Sequence, residues 1–454
     1  MSPDLVVRAG TLVAPGGRAV LDVVVEDGRV AALVPAGTGR GARVLEAEGR
    51  LVLPGMVDSH VHVMEPGDTS REEIATATAA AARHGITTIV EHTHGWPVTS
   101  VARLHEKRGH WAGRSFVDYG FAAHVWPDAV RDLPALYEAG VAFFKIFTCA
   151  THGVPALVGG RLLSTLETLA ALGAPCLVHC EDDQLTADLE AALRASGRVD
   201  AGTLLAWRTR EAELMAIHAV GVMAETLGAR VTVAHASTPE ALAAVAWHRA
   251  RGADLVAETC PQYLTLPERE VLEQGPLRKC TPPPRLRSKV DEEAMWRALE
   301  EGLVHHLATD HAPATLAQKR AGTIWDAPFG LPGLDTTVPV LLDAALRGRV
   351  ALERLVQLWA QAPARRYGLR GKGRIAPGFD ADLVLVDPAG SWLVRDEEVV
   401  SKAGWSPYSG RLLRGRVVTT VLRGEVIAQD GVVLGDPRGR LVLGGGWRDG
   451  DRRP

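Results

Sequence analysis

Six side chains of this 454-residue chain, all of types that hold metal ions or can be converted to do so, stand at or near the ends of apolar runs: His60, His62, Lys145, His179, His235 and Asp310. His60 and His62 stand two apart at the end of an apolar run, so on a strand both can point to the same side and reach one ion. A His-X-His by itself says little, because surface and core histidines produce such pairs often. The ordered set His-X-His, Lys, His, His, Asp says more, since each member follows an apolar run of its own. Lys145 needs separate chemistry, because an ammonium repels a cation. Its flanks, Phe143-Phe144-Lys145-Ile146-Phe147, disfavour the charged form. A neutral amine can take up CO2, and the two oxygens of the resulting carbamate can bridge two ions as a carboxylate does.

Side chains so far apart in the chain meet only if the fold brings strand ends together. From Leu51 onward, strand-like runs alternate with helical segments: Leu51-Val-Leu-Pro-Gly-Met-Val-Asp58, Ile86 to Glu91, Val141 to Phe147, Cys176 to His179, Arg230 to His235, Ala253 to Glu258 and Leu303 to Asp310. That order gives parallel sheets. Ser70-Arg-Glu-Glu reads as a capping box opening an Ala-rich helix that stops at His84-Gly85, and later helices stop at Gly173, Gly228, Gly252 and Gly302. Roughly eight such units in about 320 residues predict an α/β fold, a (β/α)8 TIM barrel, whose active site lies at the C-terminal ends of the strands. All six candidate residues fall at or near such ends.

The two chain ends have another texture. Residues 1–52 and 373–454 read as short Val-rich strands broken by turns, such as Glu26-Asp-Gly-Arg and Arg423-Gly-Glu. They predict one small β-sandwich shared by both ends, with residues 53–372 inserted as the barrel domain. A formal net charge of −4 and the lack of any long like-charge run argue against nucleic acid as partner. No stretch approaches the ~20 uncharged apolar residues of a membrane span, and Met1-Ser-Pro-Asp has no secretory character, so a cytoplasmic protein is expected. The five cysteines, scattered and odd in number, fit reduced thiols.

Residues 53 to 67, Leu-Pro-Gly-Met-Val-Asp-Ser-His-Val-His-Val-Met-Glu-Pro-Gly, resemble the opening signature of the allantoinase, dihydroorotase and hydantoinase branch of the amidohydrolase superfamily. The resemblance spans essentially the whole chain, through Phe144-Lys-Ile-Phe, Leu177-Val-His-Cys-Glu, Val233-Ala-His-Ala-Ser, Glu258-Thr-Cys-Pro-Gln-Tyr, Lys279-Cys-Thr-Pro-Pro and Thr309-Asp-His-Ala-Pro to Gly373-Arg-Ile-Ala-Pro-Gly. It implies two divalent ions, taken as zinc. His60, His62 and Asp310 would hold one and His179 and His235 the other, with Lys145, N6-carboxylated by CO2, between them. It also implies a small cyclic amide as substrate, Asp310 as the proton carrier, and a homo-oligomer, dimer or tetramer.

Within the branch the likeness is strongest to allantoinases, including Ser406-Pro-Tyr-Ser-Gly-Arg and Thr420-Val-Leu-Arg-Gly-Glu. Dihydroorotases have Arg where this chain has Met64, and hydantoinases commonly have Tyr where it has Ala150. Where allantoinases usually read like Glu-Met-Pro-Leu-Asn, this chain has Glu91-His-Thr-His-Gly-Trp-Pro. His92, His94 and Trp96 are therefore expected in the substrate-facing loop, together with Thr281, Phe329 and Gly330, and with His152 nearby. His84, His124, His218, His305 and His306 read as surface or helix-face histidines. The expected function is opening of a cyclic ureide or imide. Alternatives are a hydantoinase-like activity on an apolar or aromatic ring, and a non-catalytic scaffold, which need not bind two ions.

Overall fold

Strands from the two ends of the chain join through the short strand Leu51–Pro54. It lies parallel to Leu5–Ala14, pairing Val52 with Leu12, and antiparallel to Leu383–Leu393, pairing Leu53 with Val384. The result, in a computed structural model that describes residues 3–127 and 129–445, is one nine-stranded sheet. It runs from Val432–Val433 through Glu425–Gln429 and Leu412–Leu422 to the central strands, and ends at Gly17–Glu26 and Arg29–Pro35. Alternation of apolar residues gives the sheet its own core, with Leu5, Val7, Val23, Val25, Leu383 and Leu385 at its centre.

The apolar run from Leu51 to Asp58 is therefore two strands. Leu51–Pro54 belongs to the nine-stranded sheet and Met56–Val61 to the barrel. Pro54 offers no N–H to continue one ladder. At Gly55 the chain passes so close to Thr87 that a Cβ would lie 2.2 Å from Thr87 Oγ1, so only glycine makes this turn.

The barrel follows as parallel strands Met56–Val61, Ile86–Glu91, Asp118–Phe121 with its continuation Ala123–His124, Phe144–Phe147, Pro175–His179, Arg230–Val233, Leu255–Thr259 and Val304–Leu307. The ring closes where Val61 bridges His311 and the His62 N–H donates to the His311 carbonyl at 2.8 Å. Near-continuous burial of these strands is what a sheet covered by helices requires. Its core includes Ile89, Val178, Val231, Leu255, Leu341 and Trp359. Helices Gly159–Leu172 and Arg210–Leu227 stop at Gly173 and Gly228, both left-handed, at φ +63° and +67°.

The helix Ile74–Arg83 does not start at the expected capping box. Its N-cap is Glu73, and the Ile74 N–H is taken at 2.8 Å by the Glu65 carboxylate instead. Ser70 sits in the preceding turn, bonded to Asp68 and Gln318. Glu73, the glutamate of that box, is itself the N-cap, and its carboxylate accepts from Lys402 Nζ at 3.0 Å, which leaves it no part in a box. The barrel and sheet are locked by charge: Asp118, on a barrel strand, pairs with Lys372 and Arg423, and Lys372 also meets Asp382 at 2.8 Å. No helix among the described residues is long and apolar enough to cross a membrane.

Candidate metal centre

Parallel strands in register deliver their C-terminal ends to one rim, and the six singled-out residues arrive there. His60 lies in Met56–Val61 with His62 just past it. Lys145 lies in Phe144–Phe147, and His179 ends Pro175–His179. His235 and Asp310 follow the ends of Arg230–Val233 and Val304–Leu307. Both of the last two adopt left-handed backbone, at φ +38° and +48°. For residues other than glycine this conformation is costly and concentrates at functional sites. All six side chains are buried.

His60 Nε2 and His62 Nε2 converge on Asp310 Oδ1, at 3.2 and 3.5 Å. Lys145 Nζ lies 3.2 Å from the same His60 nitrogen. Beside them His179 Nδ1 and His235 Nε2 face each other at 3.0 Å. The opposite ring nitrogens are held from behind: His60 Nδ1 by Glu258 Oε1 at 2.6 Å, His62 Nδ1 by the His92 carbonyl at 3.0 Å, and His179 Nε2 by Glu181 Oε2 at 2.9 Å. Carboxylates and carbonyls at the far nitrogen orient metal-binding imidazoles and fix which nitrogen is free. Buried imidazoles and a carboxylate aimed at one space, whose inner nitrogens meet only one another, Lys145 and Asp310 among the described residues, suit divalent transition metals.

The electrostatics agree. Burial pushes the Lys145 ammonium down to about 8, against the pull of Glu258 and Asp310, so its amine loses its proton far more readily than a surface lysine does. Burial lowers His60 and His62 as well, which keeps them neutral and able to bind metal. Burial raises Asp310 despite His60 and Lys145. Burial also works on Glu181 and Glu258, but Arg208 and His179 hold the first, and His60 and His306 the second, well below the usual carboxylate range.

Residues 51–427 match the Amidohydrolase family. The chain belongs to that family. Its likeness to an allantoinase of Rubrobacter xylanophilus is 38% identity over 446 residues, 97% of each chain. An allantoinase of Salmonella newport is 34% identical over 98% of this chain and 99% of its own. Among solved structures, an L-hydantoinase (dihydropyrimidinase) from Arthrobacter aurescens has a TM-score of 0.93 at 30% identity, covering 97% of this chain and 100% of its own. Amidohydrolases of this type depend on a binuclear metal centre, and this one carries candidate His and Asp ligands for it.

In this amidohydrolase, His94, Thr281 and Gly330 line the same cavity as the six residues, with Phe147, His152, Cys280 and Ala312. Thr281 Oγ1 donates to Glu181 Oε2 at 2.6 Å, and Gly330 packs so tightly that a Cβ would meet the Ala312 carbonyl at 2.1 Å. His92 does not line this cavity itself but packs its ring against those of His60 and His62, with centroids 4.7 and 4.6 Å apart. Phe329 belongs to an aromatic cluster at the rim, 5.4 Å from His152 and from Trp207. Trp96 stands apart, in a groove with Ser100, Trp126 and Arg103, whose guanidinium lies 4.6 Å over its ring.

Three expectations about histidines are corrected. His124 and His306 are buried barrel residues, not surface ones: His124 Nε2 is 3.3 Å from His94 Nδ1, and His306 Nε2 is 3.2 Å from Glu258 Oε2. His84 is buried too, against Trp392, whereas His218 is exposed on its helix. Sequence reasoning missed the support roles of Glu181 and Glu258, and of Arg208 and Arg285, which hold Glu181 at 3.2 and 3.4 Å. The two glutamates stand in runs quoted above, but nothing in those runs says which histidine each one holds.

Proposed function

We propose that this chain is a binuclear-metal cyclic amidohydrolase that opens a ring C–N amide bond of a cyclic ureide, with allantoin the leading substrate. The observation that carries the reading is the convergence of His60 Nε2 and His62 Nε2 on one oxygen of Asp310, with Lys145 and the His179–His235 pair alongside. The full-length likeness to allantoinases supports the ring class.

In this reading His60, His62 and Asp310 hold one ion, taken as zinc, and His179 and His235 hold the other. Lys145, carboxylated on Nζ by CO2, stands between them. When bound, the metal pair supplies a Lewis acid for the substrate carbonyl and a water that attacks at neutral pH. Asp310 takes the proton of that water and delivers it to the departing ring nitrogen. His94, Thr281 and Gly330 form the wall against which the ring lies. Assembly into a dimer or tetramer is part of the same reading and is supported by the resemblance.

A second reading, a hydantoinase-type activity on an apolar or aromatic ring, is favoured by Phe147 in the cavity wall and by the likeness to the Arthrobacter L-hydantoinase. Ring opening of allantoin, hydantoin, phenylhydantoin, dihydrouracil and dihydroorotate, by enzyme of determined metal content, separates the two. Turnover of allantoin is expected; preference for phenylhydantoin would transfer the assignment to the second reading. Two ions with no turnover of any ring would overturn the substrate class.

A further inference from the structure

We propose that His92 is a third imidazole ligand at the His60–His62 end of the metal centre. The inference rests on the metal-centre reading above and adds to it a residue for which the resemblance leads one to expect Met. His92 follows the strand Ile86–Glu91 by one residue, and its backbone is tied on both sides to the first barrel strand. Its N–H donates to the Val61 carbonyl at 3.0 Å, and its own carbonyl accepts from His62 Nδ1 at 3.0 Å. Placement of the ring is thereby coupled to His62.

The ring itself is buried, and neither Nδ1 nor Nε2 has a hydrogen-bond partner among the described residues. Buried polar side chains are almost always satisfied. A neutral imidazole carries one lone pair and one N–H, and a ring kept only for packing would be better served by an apolar residue. The neighbours define what the bare nitrogen can meet. Ring centroids of His60 and His62 lie 4.7 and 4.6 Å away, and Phe143 and His124 lie behind at 5.5 and 6.1 Å. One ring nitrogen from each of His60, His62 and His92 falls within 4.8 Å of the others. Three neutral imidazoles brought that close, one of them with no other partner, form a nitrogen-rich cation site. Adding nitrogen to a site otherwise completed by oxygen shifts preference from Mg2+ and Mn2+ toward Zn2+ and Co2+.

The test uses the full chain, loaded with Zn2+ or Co2+, and reads metal affinity by chelator competition together with the visible cobalt spectrum. His92→Met restores the residue the resemblance predicts, His92→Gln keeps a polar side chain, and His218→Gln is a control on an exposed helix face; melting curves establish that each is folded. The wild-type protein should bind two ions. Either His92 variant should weaken one of them by at least about 10-fold, change the cobalt spectrum, and leave the other ion and the control unaltered. Two ions with unchanged affinity and spectrum in a folded His92 variant would overturn the inference while leaving the metal-centre reading intact. A wild-type protein that binds no ion, or whose metal content survives His60→Asn and His62→Asn together, would overturn both.

Discussion

Glu258 Oε1 lies 2.6 Å from His60 Nδ1 in a fully buried contact, while the other oxygen of the same carboxylate lies 3.2 Å from His306 Nε2. One charged group from the seventh barrel strand thus sets the tautomer of a histidine on the first. Glu258→Gln keeps the shape and removes the charge. Metal affinity at the His60 position should fall by about 10- to 100-fold, measured by chelator competition, with far less change in the second ion. Equal loss of both ions would mean that Glu258 acts on the fold and not on His60.

Lys145 is buried, flanked by Phe144 and Ile146, and shifted toward its neutral form. Lys145→Ala should lose metal and lower turnover by ~100-fold or more. Short carboxylic acids such as acetate or propionate should restore part of both, because a free carboxylate can take the place of the missing carbamate. Retention of two ions and wild-type turnover in the alanine variant would remove Lys145 from the centre. The wild-type enzyme should also show an intact mass one CO2 above the sequence mass under native conditions, lost on acid denaturation.

Asp310 presents to His60 and His62 an oxygen 3.2 and 3.5 Å from their Nε2 atoms, and sits on a left-handed turn. Asp310→Asn preserves the size of the side chain and abolishes its capacity to carry a proton at neutral pH. Loss of general acid–base catalysis should lower kcat by about 100- to 10,000-fold, more than any accompanying loss of metal explains. Metal-normalised rates near the wild-type value would take Asp310 out of the proton path.

These residues were legible in the sequence because barrel topology turns strand ends into neighbours, so chain order alone assembles His60, His62, Lys145, His179, His235 and Asp310. The strand Asp118–Phe121 was not, because a charged Asp118 and a Gly120 interrupt its apolar pattern. The charge is accommodated only by Lys372 and Arg423, which arrive from far along the chain. His124 and His306 escaped for a related reason: strand periodicity gives which face a residue occupies, and gives nothing about whether a buried polar partner waits there. The helix start near Ser70 failed because a distant carboxylate, Glu65, took over the cap. Trp96 lies beyond the reach of pattern altogether, since where a loop side chain settles depends on the groove it finds.

Asp335 gives a prediction away from the metal centre. Its carboxylate is buried where the barrel meets the segment that leads back to the nine-stranded sheet, and accepts from Val400 N–H at 2.8 Å and Ser401 N–H at 3.2 Å. Burial raises its pKa to about 6 despite those two hydrogen bonds. In the unfolded chain an aspartate titrates near about 3.9, so between roughly pH 4 and 6 the folded protein binds the extra proton. Stability from this group is therefore present at low pH and lost as pH rises through about 6, by about 3 kcal/mol at most. Asp335→Asn removes the titration, though its amide cannot accept from both N–H groups and the variant should be the less stable one at pH 4. The difference in Tm between variant and wild type should then shift in the variant's favour by a few degrees as the pH is raised from about 4 to 7. A difference that stays constant over that range would show that Asp335 is ionised in the folded protein throughout, held by the Val400 and Ser401 amides against the cost of its burial.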